Sequence, residues 1–205
     1  MLTIHHLRVG RSLFTVWLLE ELELTYGVVE YLRDPDTMRA PPELKSIHPL
    51  GKSPVIDDGG LVLSETAAIT AYLLQKHDSD HRLWPDPANL EDWARYTQWL
   101  HYPEGSVFTP LLFKLLSART GGTTPILDGF ADPEVKAHFD HIAAQLGDNE
   151  FILGDSFSGA DFGISYMLSM GDSLGLLAPW PTLVAYLERN KARPAFQRAL
   201  ERVVD

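Results

Sequence analysis

Two short runs in this chain carry residues suited to gripping a small acidic peptide: Gly51-Lys52-Ser53-Pro54-Val55-Ile56 and, eight residues further on, Ser64-Glu65-Thr66-Ala67-Ala68-Ile69. Pro54 opens an apolar run, Asp57-Asp58-Gly59-Gly60 turns the chain and Leu61-Val62-Leu63 returns, the pattern of a β-hairpin with proline at its entrance. A proline at the start of a strand is either an edge residue or a cis bend, and both leave the backbone of Ser53 open to an extended ligand. Ser64 is placed to cap a helix reaching about residue 77, whose first amides would favour a small anion. Taken singly, these features also read as a turn, a helix cap and an acid placed for the helix dipole. Their joint order points to a ligand.

Other chemistries are excluded by residue type. Gly51-Lys52-Ser53 is not a phosphate-binding loop, because Ser46 stands where its first glycine belongs and proline follows where a helix should start. The formal charge of −11 opposes binding to nucleic acid or to an anionic membrane, and no basic arm offsets it. No apolar run approaches the ~20 residues of a membrane span and no signal peptide is present, so the expected location is the cytoplasm. With no cysteine, the protein can supply no thiol nucleophile and no disulfide. The histidines suggest no metal site: His5 and His6 alternate on a strand, while His138 and His141 lie three apart on a helix face that reads as solvated.

The elements around these residues follow from periodicity. Residues 2–6 predict a strand, 11–24 a helix with Phe14, Trp17, Leu18 and Leu22 on its apolar stripe, and 27–32 a second strand, hence a β-α-β unit with parallel pairing. An irregular, proline-rich stretch then leads into the hairpin and helix, an order of elements that is thioredoxin-like. The polar segment 78–88, broken twice by proline, predicts a linker. Beyond it the period becomes helical, with segments at 89–118, 132–146, 159–174, 181–190 and 194–203, and Pro103 with Gly105 expected to kink the first. The expected organisation is therefore an α/β thioredoxin-like domain over 1–77 and an all-α C-terminal domain over 89–205. Ser158-Gly159-Ala160-Asp161 fits a capping box and is assigned to folding.

The order Pro49-Leu50-Gly51-Lys52-Ser53-Pro54-Val55 followed by Ser64-Glu65-Thr66-Ala67-Ala68-Ile69 resembles the glutathione-binding segment of the cytosolic glutathione S-transferases. The resemblance spans nearly the whole chain and is strongest over 47–74 and 153–168. It implies that the backbone of Ser53, before a cis proline, pairs with the cysteinyl part of glutathione, and that Glu65 and Thr66 hold the γ-glutamyl end, with Lys52 and Pro54 completing the site. It also implies a homodimer that uses glutathione as co-substrate, with no other cofactor. The activity implied is attack of the glutathione thiolate on a small hydrophobic electrophile, or on a hydroperoxide; the alternative is a glutathione-binding protein with little conjugating activity.

A thiol titrates near ~8.5, so such an enzyme must favour the thiolate with a hydrogen-bond donor or a positive charge. Family members present that group in the loop after the first strand. Here the run His5-His6-Leu7-Arg8-Val9-Gly10-Arg11-Ser12, continuing to Trp17-Leu18-Leu19-Glu20-Glu21-Leu22, is similar to a bacterial and fungal branch, but Gly10 replaces its first serine. Gly10, through its backbone amide, Arg11 and Ser12 are the catalytic candidates, although Ser12 also suits a plain helix cap. The stretch Trp99-Leu100-His101-Tyr102-Pro103-Glu104-Gly105-Ser106 matches the same branch, and Tyr102, Glu104, Phe108 and Leu112 are the candidates for a second-substrate pocket.

Overall fold

The computed structural model describes residues 1–203, so the last two positions of the expected 89–205 domain lie outside the described residues. The chain forms two compact units, residues 1–80 with 191–205 and residues 81–190. In the first, β1 (Leu2–Leu7), α1 (Ser12–Glu21) and β2 (Gly27–Tyr31) form the β-α-β unit. A short α2 (Leu44–Ile47) leads to β3 (Val55–Asp58), β4 (Leu61–Ser64) and α3 (Thr66–His77). The sheet order is β2-β1-β3-β4. β1 pairs parallel with β2 and antiparallel with β3, which pairs antiparallel with β4. As an interior strand β1 is buried over most of its length. This is the thioredoxin-like arrangement the element order predicts.

α1 is buried on every side from Ser12 to Leu19, not along a single stripe. A helix apolar all round needs cover on the face turned from its sheet. α9 (Pro194–Arg202) provides it, burying Ala195, Phe196 and Ala199. Phe196 meets Trp17 edge to face, ring centroids 5.1 Å apart, and lies 6.1 Å from Phe14. Around this apolar centre Arg193 grips Glu21 with two bonds of 2.6 and 3.0 Å, and Arg198 reaches Glu20 at 3.0 Å. The sequence spacing groups the segment from residue 191 onward with the helical domain; the fold groups residues 191–203 with the sheet, because the apolar side of α1 turned away from the sheet needs cover there.

In the second unit α4 (Leu90–Tyr102) and α5 (Phe108–Thr120) run into one another through a π-helical turn, Pro103–Val107. Pro103 has no N–H to give, and the chain widens instead, with the amide of Phe108 reaching back to the Pro103 carbonyl. The irregularity expected at Pro103 and Gly105 is thus a π turn inside the helical run. α6 (Pro125–Leu146) begins earlier than its period suggests, with the Thr124 hydroxyl accepting from the Leu127 amide at 3.2 Å and Pro133 carried inside the helix. α7 (Gly159–Ser173) and α8 (Pro181–Lys191) complete the unit. A Cβ on Gly163 of α7 would stand 2.9 Å from the Pro103 ring, so that glycine admits the proline. No helix among the described residues is long and apolar enough to cross a membrane.

Asp161 is the polar centre of this unit and lies wholly buried. One carboxylate oxygen accepts from the Ile152 amide at 3.0 Å and the Tyr186 hydroxyl at 2.6 Å. The other accepts from the Ser158 amide at 2.8 Å and hydroxyl at 3.0 Å, forming the capping box of α7. Burial pushes its carboxyl above the usual carboxylate range while the four donors pull the other way.

Unfolding measurements on four variants test this account. Asp161→Ala orphans several buried donors and should cost about 3 kcal/mol or more in denaturant unfolding. Asp161→Asn should be little better, because its NH2 group must face donors, whereas recovery of most of the stability by asparagine would contradict the network. Phe196→Ala should cost about 3–5 kcal/mol as a cavity against Trp17, and Arg198→Ala, whose own side chain is exposed, less than about 1 kcal/mol.

Candidate functional site

The candidate binding residues of the first unit converge on the end of β1. The Leu7 amide donates to the Ser53 hydroxyl at 3.3 Å and to the Ser12 hydroxyl at 3.2 Å, and the Ser53 hydroxyl in turn donates to the His5 carbonyl at 2.8 Å. The peptide bond from Ser53 to Pro54 is cis. The β1–β3 ladder ends at His5↔Val55, so Ser53 lies beyond its last rung. Pro54 is buried, and Lys52 is exposed next to it. Gly51, at φ 57°, supplies the bend, and a Cβ there would stand 2.8 Å from the Lys45 side chain.

Ser64 does not cap α3. It is the last residue of β4, paired with Val55, and its hydroxyl meets His48 Nε2 at 3.3 Å. The cap position falls to Glu65, at φ 72° and ψ 115°, with no side-chain bond to the helix. A non-glycine residue in that region is strained, and such strain persists where the surroundings over-determine it, often at a functional site. Glu65 is exposed and Thr66, the first helical residue, is half-buried. The start of α3 is therefore a dipole end without a side-chain cap, flanked by a carboxylate and a hydroxyl.

The loop between β1 and α1 departs from expectation at Ser12. It is only 1% exposed, and its hydroxyl is committed to the Leu7 amide, the Leu7 carbonyl at 3.2 Å and His6 Nδ1 at 3.0 Å. It does not cap α1, whose cap position is Arg11 without a side-chain bond. Arg11 and Gly10 are half-buried. A residue that the spacing did not indicate, Arg33 beyond β2, reaches this loop and bonds the carbonyls of Arg8 at 3.0 Å and Val9 at 2.7 Å. Nothing local marks it, since its partners lie more than twenty positions earlier in the chain.

In the second unit Tyr102 turns toward α6. Its hydroxyl is 2.6 Å from His138 Nδ1, and its ring packs edge to face on Trp99, His138 and His141. Burial lowers the His138 pKa and raises that of Tyr102 to about 12, where Glu134 adds to the rise. Glu134 lies 3.7 Å from His138 Nε2, which favours the tautomer protonated there and leaves Nδ1 to accept from Tyr102. The expectation of a solvated histidine face is corrected: His138 is half-buried, and His141, though exposed, stacks on Trp99 at 5.2 Å. Glu104, Phe108 and Leu112 are half-buried on the π turn and α5. None of these candidates lines the cavity of about 370 Å³ around Lys114 or that of about 340 Å³ around Trp84.

Residues 2–75 match the family model described as the glutathione S-transferase N-terminal domain, and residues 125–189 match that of the C-terminal domain. The chain is 30% identical to glutathione S-transferase 1 of Saccharomyces cerevisiae, with 98% of this chain and 95% of that protein covered. Glutathione S-transferase 3 of Schizosaccharomyces pombe is 28% identical, covering 100% and 89%. Among solved structures, a glutathione S-transferase from Actinobacillus pleuropneumoniae superposes with a TM-score of 0.90 at 36% identity, covering 98% of this chain and 92% of that one. With both domain models matched and the yeast enzyme aligned almost end to end, the chain belongs to the glutathione S-transferase family.

Proposed function

We propose that this protein binds glutathione along the Ser53 edge and the start of α3, and conjugates its thiolate to a small hydrophobic electrophile. The observation that carries the reading is Glu65. It holds a strained positive-φ conformation at the start of α3, where its carboxylate would pair with an α-ammonium while the uncapped amides of α3 receive the neighbouring carboxylate. Thr66 would add a hydroxyl to that end, and the backbone of Ser53, beyond the β1–β3 ladder, would pair with the middle of the tripeptide. Lys52 adds a cation beside the same edge. The sulfur then lies toward the 8–12 loop, because Ser53 and that loop share the Leu7 amide. The same thiolate could attack a hydroperoxide oxygen, and the family resemblance supports a homodimer.

A second reading, a glutathione-binding protein with little conjugating activity, is favoured by one observation. The only hydroxyl expected in the loop, on Ser12, is buried and occupied. Calorimetric titration with glutathione together with conjugation of a generic aryl halide separates the two, since tight binding without turnover would select the second.

Glu65→Ala should weaken glutathione binding roughly 10- to 100-fold, the loss of a charge-assisted contact. The unfolding midpoint should barely move, because the residue is exposed. Glu65→Gly should lose the same affinity yet be no less stable, since glycine adopts positive φ without strain. Undiminished affinity in both variants would remove the γ-glutamyl site from this place.

A further inference from the structure

The position left empty of a side chain at Gly10 is not empty of charge. A Cβ on Gly10 would lie 3.1 Å from a terminal nitrogen of Arg33 and 3.3 Å from the Leu7 carbonyl oxygen. The guanidinium holds the loop from the far side of β2. Its Nε donates to the carbonyls of Arg8 at 3.0 Å and Val9 at 3.2 Å, one terminal nitrogen donates to Val9 at 2.7 Å, and the other reaches the Met38 carbonyl at 3.0 Å. Val9 itself sits at φ 56°, a region that a β-branched residue rarely enters. Bonds from a cation into its carbonyl are what over-determine that conformation.

Resting on the transferase reading above, we propose that Arg33 takes the place of the missing residue-10 hydroxyl: it positions the 8–10 loop and supplies the positive charge that favours the thiolate of bound glutathione. The thiol proton leaves to solvent, and no bond to the protein forms. Arg33 is a positioning residue, acting through the loop and through its field. Other charged and titratable groups surround the loop. Arg8 is matched by Glu30 in a two-bond pair of 2.8 and 2.7 Å. The Asp34 carboxylate is taken up by the amides of Asp36 and Thr37 and the Thr37 hydroxyl. His5 is paired with Tyr31 and His6 with Ser12, while Arg11 stands at the head of α1 and Arg39 gives its carbonyl to the Asp34 amide. An opposite charge within roughly 4–6 Å lowers an acid's pKa by about 1–3 units, enough to populate a thiolate at neutral pH.

The test titrates the ultraviolet absorbance of the bound glutathione thiolate on the full chain, with aryl halide conjugation measured across the same pH range. Arg33→Gln should move the midpoint up by about 1–2 pH units and cut conjugation at neutral pH by roughly 10- to 100-fold, with the loss recovered in alkali. Arg33→Lys, which keeps the charge but not the fork, should fall between. Gly10→Ser separates charge from scaffold. In the parent it must push the guanidinium aside and should raise the midpoint; with Arg33→Gln there is room, and the serine should lower the midpoint instead. A wild-type midpoint in Arg33→Gln, an equal rate loss at every pH, or the same effect of Gly10→Ser in both backgrounds would overturn the assignment. If the wild type itself shows neither glutathione binding nor a thiolate signal at any pH, it is the transferase reading that fails.

Discussion

The amide of Leu7 donates to two hydroxyls at once, Ser12 Oγ and Ser53 Oγ, at the end of the strand that lies between the other elements of the sheet. Through that one N–H, the start of α1 and the cis-prolyl edge before β3 share an anchor, although far apart in the chain. Much of the candidate site follows from it. β3 pairs with β1 in a register that ends at His5↔Val55, and β4 pairs with β3 so that Ser64 faces Val55. The chain then has a single residue, Glu65, in which to turn from strand into helix. A register slip of one position would turn every side chain of β3 to the opposite face and carry Ser53 away from Leu7.

Holding β1 in place demands a core on both of its faces, and α1 shows how closely that is enforced. Its buried residues run all the way round, so the sheet alone cannot shield it, and α9 closes the remaining side with Phe196 against Trp17. The ion pairs of Arg193 with Glu21 and of Arg198 with Glu20 sit at the margin of that contact. In the helical unit the corresponding constraint is polar. Asp161 draws the loop at Ile152, the cap of α7 and Tyr186 of α8 onto two oxygens, and each buried donor there is satisfied only because the others are in place.

Around this frame, hydroxyls and charges exchange roles. Ser12 looks like a reactive hydroxyl by position, yet its place in the first turn of α1 buries it, and its hydroxyl bonds the Leu7 amide and carbonyl at the end of β1. Gly10 looks like a loss, yet it leaves the opening through which Arg33 can approach the loop carbonyls. His138 looks like a surface residue by its spacing, yet α6 carries it against the Tyr102 hydroxyl. In each case the neighbour that decides the role comes from a distant part of the chain.

Local chemistry was legible in the order of residues. The alternation of β1 and β2, the hairpin of β3 and β4, the capping box at Ser158 and Asp161, and the proline and acid positions of the ligand edge all follow from contacts within a few residues, where conformational preference and hydrogen-bond geometry act directly. What the sequence could not determine depends on elements that meet only after folding. The burial of α1 needs α9, the continuity of the helix through Pro103 needs a π turn packed on Gly163, the cap of α3 passes from Ser64 to Glu65 because strand pairing claims the serine, and the guanidinium beside Gly10 arrives from beyond β2. Residue type and order alone pointed to a small acidic peptide at this edge and left the chain no cysteine to supply a thiol; tertiary structure decided which hydroxyls and cations gather around the end of β1, because a side chain's role is set by the partners that compete for it, and those partners are brought together by the fold.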